Sequence, residues 1–442
     1  MKYFGTDGIR GRFGEFPVVP EVISRLIPAL RAFMDNASLR IVIGRDSRES
    51  GTVIERYIMV GVSAFDRIFL CGVVPSPAIP MAILTENADF GIMITASHNP
   101  PADNGVKIFD RNGKISIEIE EKLEKYMEIY PSVAEKNESK PIDISQKMSK
   151  LFFESMASKV DGNKKIKKIT VDTANGALAH FARKCYENVC DEVVMLGDNL
   201  TKKINDGVGS EYPEVISSAV LKNGSNLGIA HDGDGDRFVL CDENGNLVEG
   251  EKIFTLIASY LVKTGKLSNN KTIVTTIMSN RGLDVALRGF GVRVERTAVG
   301  DRNVASRMAE IGSNFGGECS GHMIFSDLES TSNGVLSAIM SLNALNFFGF
   351  KASDVQNLVK MYPQEKCSIL VRKIVPLEAM PLVSNELKNI SDHLKKFDGR
   401  LVIRYSGTEP KLRILVESES SDLTKKCLEN VKNIIANSPV MY

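Results

Sequence analysis

Short apolar runs rich in β-branched residues alternate along the chain with longer amphipathic stretches. Runs of this kind are typical of buried strands, and the stretches between them are typical of helices. The alternation predicts an α/β protein with mixed, mostly parallel sheets. The predicted strands are 40–44, 67–71, 91–95, 169–172, 192–196, 227–230, 272–276, 292–295 and 314–318.

The alternation repeats with a period of about one hundred residues, which is too long for a solenoid. Each group of three predicted strands ends in a polar loop, at 96–101, 231–236 and 319–322. Any α/β chain alternates in this way, but open α/β sheets bind ligands at the carboxyl ends of their strands, where all three loops fall. We therefore expect three related domains whose loops converge on one cleft.

The last 75 or so residues lack βαβ spacing, which predicts a smaller C-terminal α+β domain. Its predicted elements are strands at 367–372, 399–404 and 412–417 and a helix at 422–436. Polar stretches near 131–146, 244–251 and 362–366 indicate boundaries. The expected domains are 1–145, with the Ser97 loop; 146–248, with an aspartate loop; 249–363, with the Glu318 loop; and 364–442.

Composition narrows the possible partners. Lys plus Arg and Asp plus Glu both total 55, so no global charge attracts nucleic acid or an anionic membrane. The start has no apolar signal region, and prolines interrupt the longest apolar stretches. Seven cysteines without a CxxC pair indicate neither a disulfide framework nor a zinc site. We expect a cytoplasmic protein that binds a small molecule.

The segment from His231 to Arg237 carries Asp232, Asp234 and Asp236, with glycines between them. Their oxygens can converge on a hard cation if the glycines let the backbone curl. A calcium loop would need glycine where Arg237 stands, and a strand follows directly. The pattern favours a magnesium site over a plain solvated turn.

Ser97 follows a predicted buried strand, and Pro100 and Pro101 prevent a helix from starting there. A serine in such a loop is often only a turn former or helix cap. It could also be a hydrolase nucleophile, although the G-x-S-x-G elbow is absent, or it could carry a phosphoryl group beside the metal. The last alternative uses the serine and the aspartates together.

Basic groups occur near both loops. Lys107 lies on the next predicted strand between apolar neighbours, where burial would lower its pKa towards the range useful for proton transfer; a solvated strand lysine is equally consistent. Arg10 lies between glycines and suits a fixed guanidinium near phosphate.

The loop with Glu318, Ser320 and His322 offers groups that can contact sugar hydroxyls and transfer protons. A plain turn is the alternative.

The segment from Arg404 to Arg413 joins two predicted strands through a turn rich in hydroxyl groups and backbone donors. An arginine at each end can bind phosphate in a forked geometry, and turning alone does not require it. The segment therefore predicts a phosphate-binding loop more readily than an ordinary hairpin.

Taken together, five motifs resemble the α-D-phosphohexomutase family along the entire chain. They are Gly5-Thr-Asp-Gly-Ile-Arg, Thr95-Ala-Ser-His-Asn-Pro, Asp232-Gly-Asp-Gly-Asp-Arg, Gly317-Glu-Cys-Ser-Gly-His and Arg404-Tyr-Ser-Gly-Thr-Glu-Pro. The resemblance implies four domains around a central cleft. It makes Ser97 a phosphoserine and a metal ligand, beside the ligands Asp232, Asp234 and Asp236. It assigns sugar contacts to Glu318 and Ser320, the phosphate clamp to Arg404, Ser406, Gly407, Thr408 and Arg413, and proton transfer and charge stabilisation to Arg10, Lys107 and His322.

The resemblance also implies one Mg²⁺ per active site, activation by phosphorylation of Ser97 and a bisphosphate intermediate. The motifs are most similar to those of bacterial members that interconvert glucosamine 6-phosphate and glucosamine 1-phosphate; members acting on mannose and glucose phosphates are the alternative. Two alternatives belong to other functional classes. A non-catalytic sugar-phosphate sensor would have no use for a phosphorylatable serine beside a metal. A phosphatase would release inorganic phosphate. A monomer or a homodimer is expected.

Overall fold

The computed structural model describes residues 2–5, 7–36, 38–130, 140–162, 166–406, 410–438 and 440. The first sheet contains β1 (Ile9–Arg12), β2 (Arg40–Arg45), β3 (Arg67–Val73), β4 (Phe90–Ile94), β5 (Asp103–Asp110), β6 (Gly113–Lys114) and β7 (Ile142–Asp143). The strand order is β1-β5-β4-β2-β3-β7, and β6 pairs with β5. The helices of this part are α1 (Pro20–Ile23), α2 (Leu26–Met34), α3 (Gly51–Val60), α4 (Ala78–Glu86) and α5 (Ile117–Ile129).

The second sheet contains β8 (Ile166–Asp172), β9 (Cys190–Leu196), β10 (Leu227–His231), β11 (Phe238–Asp242) and β12 (Leu247–Val248), in the order β12-β11-β10-β8-β9. Its helices are α6 (Ser145–Ala157), α7 (Ala182–Tyr186) and α8 (Pro213–Asn223). The third sheet contains β13 (Thr272–Thr276), β14 (Arg293–Thr297), β15 (Phe315–Glu318) and β16 (His322–Phe325), in the order β14-β13-β15-β16. Its helices are α9 (Gly250–Lys263), α10 (Gly282–Arg288), α11 (Asp301–Ile311) and α12 (Gly334–Phe348).

These sheets share one pairing pattern. In each, the first long strand (β2, β8 or β13) pairs in parallel with the two strands that follow it. The last of those two strands (β4, β10 or β15) then pairs antiparallel with the next strand. The predicted fold class is therefore confirmed, with three related α/β units and mixed, mostly parallel sheets.

The C-terminal part is built differently. An antiparallel sheet has the order β17-β19-β18, from β17 (Gln364–Leu370), β18 (Arg400–Tyr405) and β19 (Lys411–Glu417). The helices α13 (Pro381–Lys395) and α14 (Ser421–Ala436) pack against it. This is the smaller α+β domain that the sequence predicts.

Burial explains the apolar strand patterns. Every residue of β4, β10 and β13 is buried, as expected for strands covered on both faces. Helix α12 is buried throughout residues 334–345, whereas α14 buries only one side. Within the described ranges, no helix combines the length and the apolar character needed to cross a bilayer.

Candidate active site

The loops after β4, β10 and β15 meet, as expected for loops at the carboxyl ends of parallel strands. The Ser97 hydroxyl donates a hydrogen bond to Asp232 Oδ2 at 2.6 Å, which joins the first two loops. His322 Nδ1 lies 3.6 Å from Asp236 Oδ1, which joins the second and third. The structure therefore brings the predicted serine, aspartates and imidazole into one cluster.

Ser97 is buried and has a φ of 51°, in the left-handed region. This conformation costs a serine about 1–2 kcal/mol, so the surrounding contacts have to stabilise it. The Ser97 N–H donates to Thr95 Oγ1 at 2.8 Å. Ser97 Oγ also lies 3.3 Å from His98 Nδ1.

The glycines between the aspartates allow the close approach of two loops. A Cβ on Gly233 would lie 2.7 Å from the Ser97 carbonyl oxygen, which no larger residue could tolerate without movement. Gly235 has a φ of 73°, which turns the chain sharply between Asp234 and Asp236. All three aspartates are buried, and one oxygen from each lies within 4.8 Å of those of the others.

The donor set fits a hard divalent cation. The Oδ1 atoms of Asp234 and Asp236 are buried and accept no hydrogen bond within the described part of the chain. Burial and repulsion from Asp236 and Asp234 raise the pKa of Asp232 well above its usual range. Buried, mutually repelling carboxylate oxygens beside a hydroxyl are the ligands that Mg²⁺ prefers. Asp232, Asp234, Asp236 and Ser97 could together hold such an ion.

The surroundings of Lys107 contradict the expectation that its pKa is lowered. Its side chain is buried, as the apolar neighbours predict, and burial alone would lower its pKa. However, Nζ lies 2.7 Å from Asp234 Oδ2, 3.0 Å from Asp236 Oδ2 and 3.4 Å from Asp7 Oδ2. These carboxylates outweigh desolvation, so the pKa of Lys107 is raised well above its usual value and not lowered.

Arg10 contacts the same cluster from the start of the chain. Its guanidinium lies 2.6 Å from Asp7 Oδ2 and donates to Asn99 Oδ1, in the Ser97 loop, at 3.4 Å. Burial would raise the pKa of Asp7, but Lys107, Lys114 and Arg10 hold it well below its usual range. Asp7 therefore links the predicted cations Arg10 and Lys107 through one carboxylate.

Glu318 and His322 lie at the two ends of a tight hairpin between β15 and β16, where they are paired in register. Glu318 Oε1 accepts a hydrogen bond from the Gly300 N–H at 3.1 Å. His322 Nε2 lies 3.3 Å from Asp301 Oδ2. Burial would lower the pKa of His322, but Asp236 and Asp301 raise it to about 9. Ser320, between the two, is exposed.

The predicted phosphate clamp begins and ends on paired strands, since Arg404 of β18 stands opposite Arg413 of β19. Both arginines line a cavity of about 370 Å³ together with Met278 from the third unit. Burial and the neighbouring Arg413 lower the pKa of Arg404. Ser406 is buried, and its N–H donates to Lys411 O at 2.8 Å. Gly407 and Thr408 lie outside the described residues.

Among the described residues, those at the site that the sequence analysis missed include Asp7, Asp301 and two donors to the Ser97 carbonyl oxygen, Arg48 and Asn205. Arg48 follows the carboxyl end of β2, so the rule that located the other loops could have found it. Asp7 lies inside the motif Gly5-Thr-Asp-Gly-Ile-Arg. Asn205 and Asp301 also follow the carboxyl ends of strands, β9 and β14, but only the packing of separate units shows that their side chains reach the cluster.

Comparisons with known proteins agree with this arrangement. Residues 1–132, 150–245 and 249–362 match the models of phosphoglucomutase/phosphomannomutase alpha/beta/alpha domains I, II and III, and residues 374–434 match that of the C-terminal domain. Phosphoglucosamine mutase from Thermodesulfovibrio yellowstonii is 36% identical over 98% of this chain and 99% of its own. The same enzyme from Nautilia profundicola is 39% identical over 98% of both chains.

A solved structure shows the same fold at low identity. The phosphoglucomutase/phosphomannomutase family protein from Burkholderia thailandensis superposes with a TM-score of 0.80 and 19% identity, over 100% of this chain and 99% of its own. The resemblance of the five motifs is thereby confirmed across the whole chain. The protein belongs to the phosphoglucomutase/phosphomannomutase family, the α-D-phosphohexomutases.

Proposed function

We propose that the protein is a phosphoglucosamine mutase, which interconverts glucosamine 6-phosphate and glucosamine 1-phosphate through phosphoserine 97. One observation carries the proposal. The buried Ser97 hydroxyl lies 2.6 Å from Asp232, in a cluster of three buried aspartates and a buried lysine. The names and full-length similarity of the curated relatives support the amino sugar.

In the first half-reaction, the free hydroxyl of the sugar monophosphate attacks the phosphorus on Ser97. The bond between phosphorus and Ser97 Oγ breaks, a bond to the sugar oxygen forms, and the proton of the sugar hydroxyl ends on the freed Ser97 Oγ. The product is a sugar 1,6-bisphosphate. It reverses its orientation and returns its other phosphoryl group to Ser97, which restores the phosphoenzyme.

We assign charge stabilisation and proton transfer to Arg10, Lys107 and His322. Their shared carboxylate partners, Asp7 and Asp236, support this assignment because they tie all three to one cluster. A Mg²⁺ ion held by Asp232, Asp234, Asp236 and Ser97 would offset negative charge as the phosphoryl group transfers.

Sugar and phosphate recognition involve two further elements. Glu318 and Ser320 would contact the sugar hydroxyls. Arg404, Ser406, Gly407, Thr408 and Arg413 would bind the phosphate that is not being transferred. Arg404 and Arg413 stand opposite each other on paired strands and line one cavity, which supports this role. Guanidinium groups bind phosphate in a forked geometry, whichever way the sugar is oriented.

We also propose domain boundaries at 145/146, 248/249 and 363/364. The edge strand β7 pairs with β3, which supports including residues up to 143 in the first domain. The edge strand β12 ends at Val248, and β17 begins at Gln364. A cytoplasmic location suits a chain with seven cysteines and no disulfide pattern.

The proposal is tested by incubating the purified protein with Mg²⁺, a trace of glucose 1,6-bisphosphate and one candidate 6-phosphate at a time. We expect the 1-phosphate of glucosamine to form fastest, and inorganic phosphate not to accumulate. Faster turnover of mannose or glucose phosphate would assign the alternative substrates. Released phosphate would indicate a phosphatase.

Ser97→Ala should abolish turnover, and mass spectrometry should find one phosphate on Ser97 in the unaltered protein. Ser341→Ala is a matched control, since it removes another buried hydroxyl, inside α12. Normal activity in Ser97→Ala would contradict the mechanism. Sedimentation of the same samples distinguishes a monomer from a homodimer.

A further inference from the structure

We propose that Arg48 and Asn205 are positioning residues that hold Ser97 in the backbone conformation needed for phosphoryl transfer. The inference rests on the proposed function, because it concerns the serine that carries the phosphoryl group. Neither side chain has a hydrogen bond to Ser97 Oγ among the described contacts. Both act on the Ser97 carbonyl group.

The Arg48 side chain is fully buried, and its guanidinium donates toward the Ser97 loop from within the first domain. Nε donates to Asp46 Oδ2 at 3.0 Å. The terminal nitrogens donate to four backbone carbonyl oxygens, those of Ser97 (3.0 Å), Asn99 (2.8 Å), Pro100 (2.6 Å) and Asp103 (2.7 Å). All five N–H donors of the guanidinium are therefore used, and four of them fix one loop.

Asp46 connects the groups that hold the N–H and the carbonyl group of Ser97. Its Oδ2 accepts from Arg48 Nε and, at 2.7 Å, from Thr95 Oγ1. Thr95 Oγ1 in turn accepts the Ser97 N–H at 2.8 Å. The Ser97 N–H is thus held through Thr95, and the Ser97 carbonyl group is held through Arg48.

Asn205 reaches the same carbonyl groups from the second unit. Its Nδ2 donates to Ser97 O at 2.8 Å and to Asn99 O at 2.9 Å. Asn205 has a φ of 56°, and its own N–H donates to Ala174 O at 2.9 Å. The Ser97 carbonyl oxygen is consequently held by one donor from each of two domains, with Gly233 packed against it.

This arrangement explains how a serine keeps a left-handed backbone conformation in the interior. If the peptide group rotated, a buried carbonyl oxygen would lose two donors, which opposes the rotation. The conformation directs Ser97 Oγ to Asp232 at 2.6 Å. A displacement of the phosphoryl group by about 1 Å can cost about 100-fold in rate, so the loop geometry matters to the reaction.

Asn205→Asp tests the inference with little change of volume. The substitution replaces an N–H donor with a carboxylate oxygen facing two carbonyl oxygens. We expect kcat to fall by about 100-fold and KM to change by less than about threefold. The rate at which glucose 1,6-bisphosphate phosphorylates Ser97, followed by mass spectrometry, should fall by a similar factor. Asn205→Gly, which suits the positive φ, should show the same losses if Asn205→Asp does not fold.

Asn343→Asp is the matched control. Asn343 is also buried, and its Nδ2 donates to Lys159 O at 2.8 Å, outside the Ser97 cluster. The control should lower thermal stability without changing kcat. Arg48→Lys keeps the charge but not the five donors, so it should lower kcat while leaving the Mg²⁺ affinity measured by calorimetry unchanged.

The outcomes separate this inference from the proposed function. If unaltered protein gains phosphate on Ser97 and both Asn205 variants gain it equally fast, the positioning role is overturned and the proposed function stands. A loss confined to KM would also overturn it, because it would make Asn205 a substrate-binding residue. If unaltered protein gains no phosphate, the proposed function fails and this inference fails with it.

Discussion

Lys107 and Asp234 form a buried ion pair, with Lys107 Nζ 2.7 Å from Asp234 Oδ2. The lysine comes from β5 of the first unit, and the aspartate comes from the loop after β10 of the second. Ser76 Oγ donates to the same oxygen at 2.5 Å. Lys107 thus already neutralises part of the charge of the carboxylates that could hold a cation. A bound cation would balance the remaining negative charge.

Lys107→Met should show this dependence. The substitution keeps most of the side-chain volume but leaves buried carboxylates without their cation, so we expect the free energy of unfolding to fall by about 3–5 kcal/mol without Mg²⁺. Mg²⁺ should then raise the melting temperature more in the variant than in unaltered protein. Differential scanning calorimetry with chelator and with Mg²⁺ measures both effects. Lys252→Met is the control, since Lys252 is buried but pairs with Glu249; equal shifts in all three proteins would contradict the expectation.

Asp234→Asn should weaken Mg²⁺ binding and lower kcat, because it removes one negative charge and one strong oxygen donor. We expect the dissociation constant to rise by at least about tenfold, and Ca²⁺ to substitute poorly. Titration calorimetry measures the affinity. Asp242→Asn changes another buried carboxylate of this unit, one that accepts from the Asn244 and Asn246 N–H groups, and should leave Mg²⁺ affinity intact. An unchanged affinity in Asp234→Asn would make the aspartate loop only a turn.

Arg404→Ala should raise KM for glucosamine 6-phosphate and for glucosamine 1-phosphate alike. In the proposed mechanism, one clamp must hold either phosphate because the bisphosphate reverses between half-reactions. Loss of a charged hydrogen bond to phosphate corresponds to about a tenfold to 100-fold rise in KM, and the bisphosphate should escape before its second transfer. Chromatography of released bisphosphate measures the leakage, and Ser97 should stay phosphorylated. The exposed Arg372 of the same domain gives the control Arg372→Ala. An effect on one monophosphate only would show that the clamp is not shared.

Glu329→Gln should change how stability depends on pH. Burial raises the pKa of Glu329 to about 7 from an ordinary value of 4.5. Between these pH values the folded protein keeps a proton that the unfolded chain has lost, so its stability falls as pH rises through the window. A shift of one pKa unit corresponds to about 1.4 kcal/mol, and water partly screens this half-buried carboxyl group. We therefore expect the free energy of unfolding to fall by about 1–2 kcal/mol between pH 5 and pH 8, a loss that the variant should not show. Urea unfolding at both pH values measures it; Glu154→Gln, at an exposed position of α6, should keep the loss.

Periodicity was sufficient for most of the fold. Every strand predicted from an apolar run corresponds to an observed strand whose ends differ by at most three residues, for example 40–44 against Arg40–Arg45 and 292–295 against Arg293–Thr297. Strands covered on both faces must be apolar throughout, so the run itself marks them. The short strands β1, β6, β7, β12 and β16 were missed, because runs of two to four residues carry too little of this pattern.

The features of the site also divide into those that the sequence indicates and those that only the fold creates. The sequence by itself determined the family, the α/β class and which loops carry the aspartates, Ser97 and the arginines of the predicted phosphate clamp, because these depend on residue type and on local spacing. Only the tertiary structure decided that Lys107 is held charged by Asp7, Asp234 and Asp236, and that Asn205 and Arg48 share the Ser97 carbonyl group. A pKa and a buried backbone conformation depend on every charge and donor within a few ångströms, and some of those groups, such as Asp234 beside Lys107 and Asn205 beside Ser97, come from another unit more than one hundred residues away.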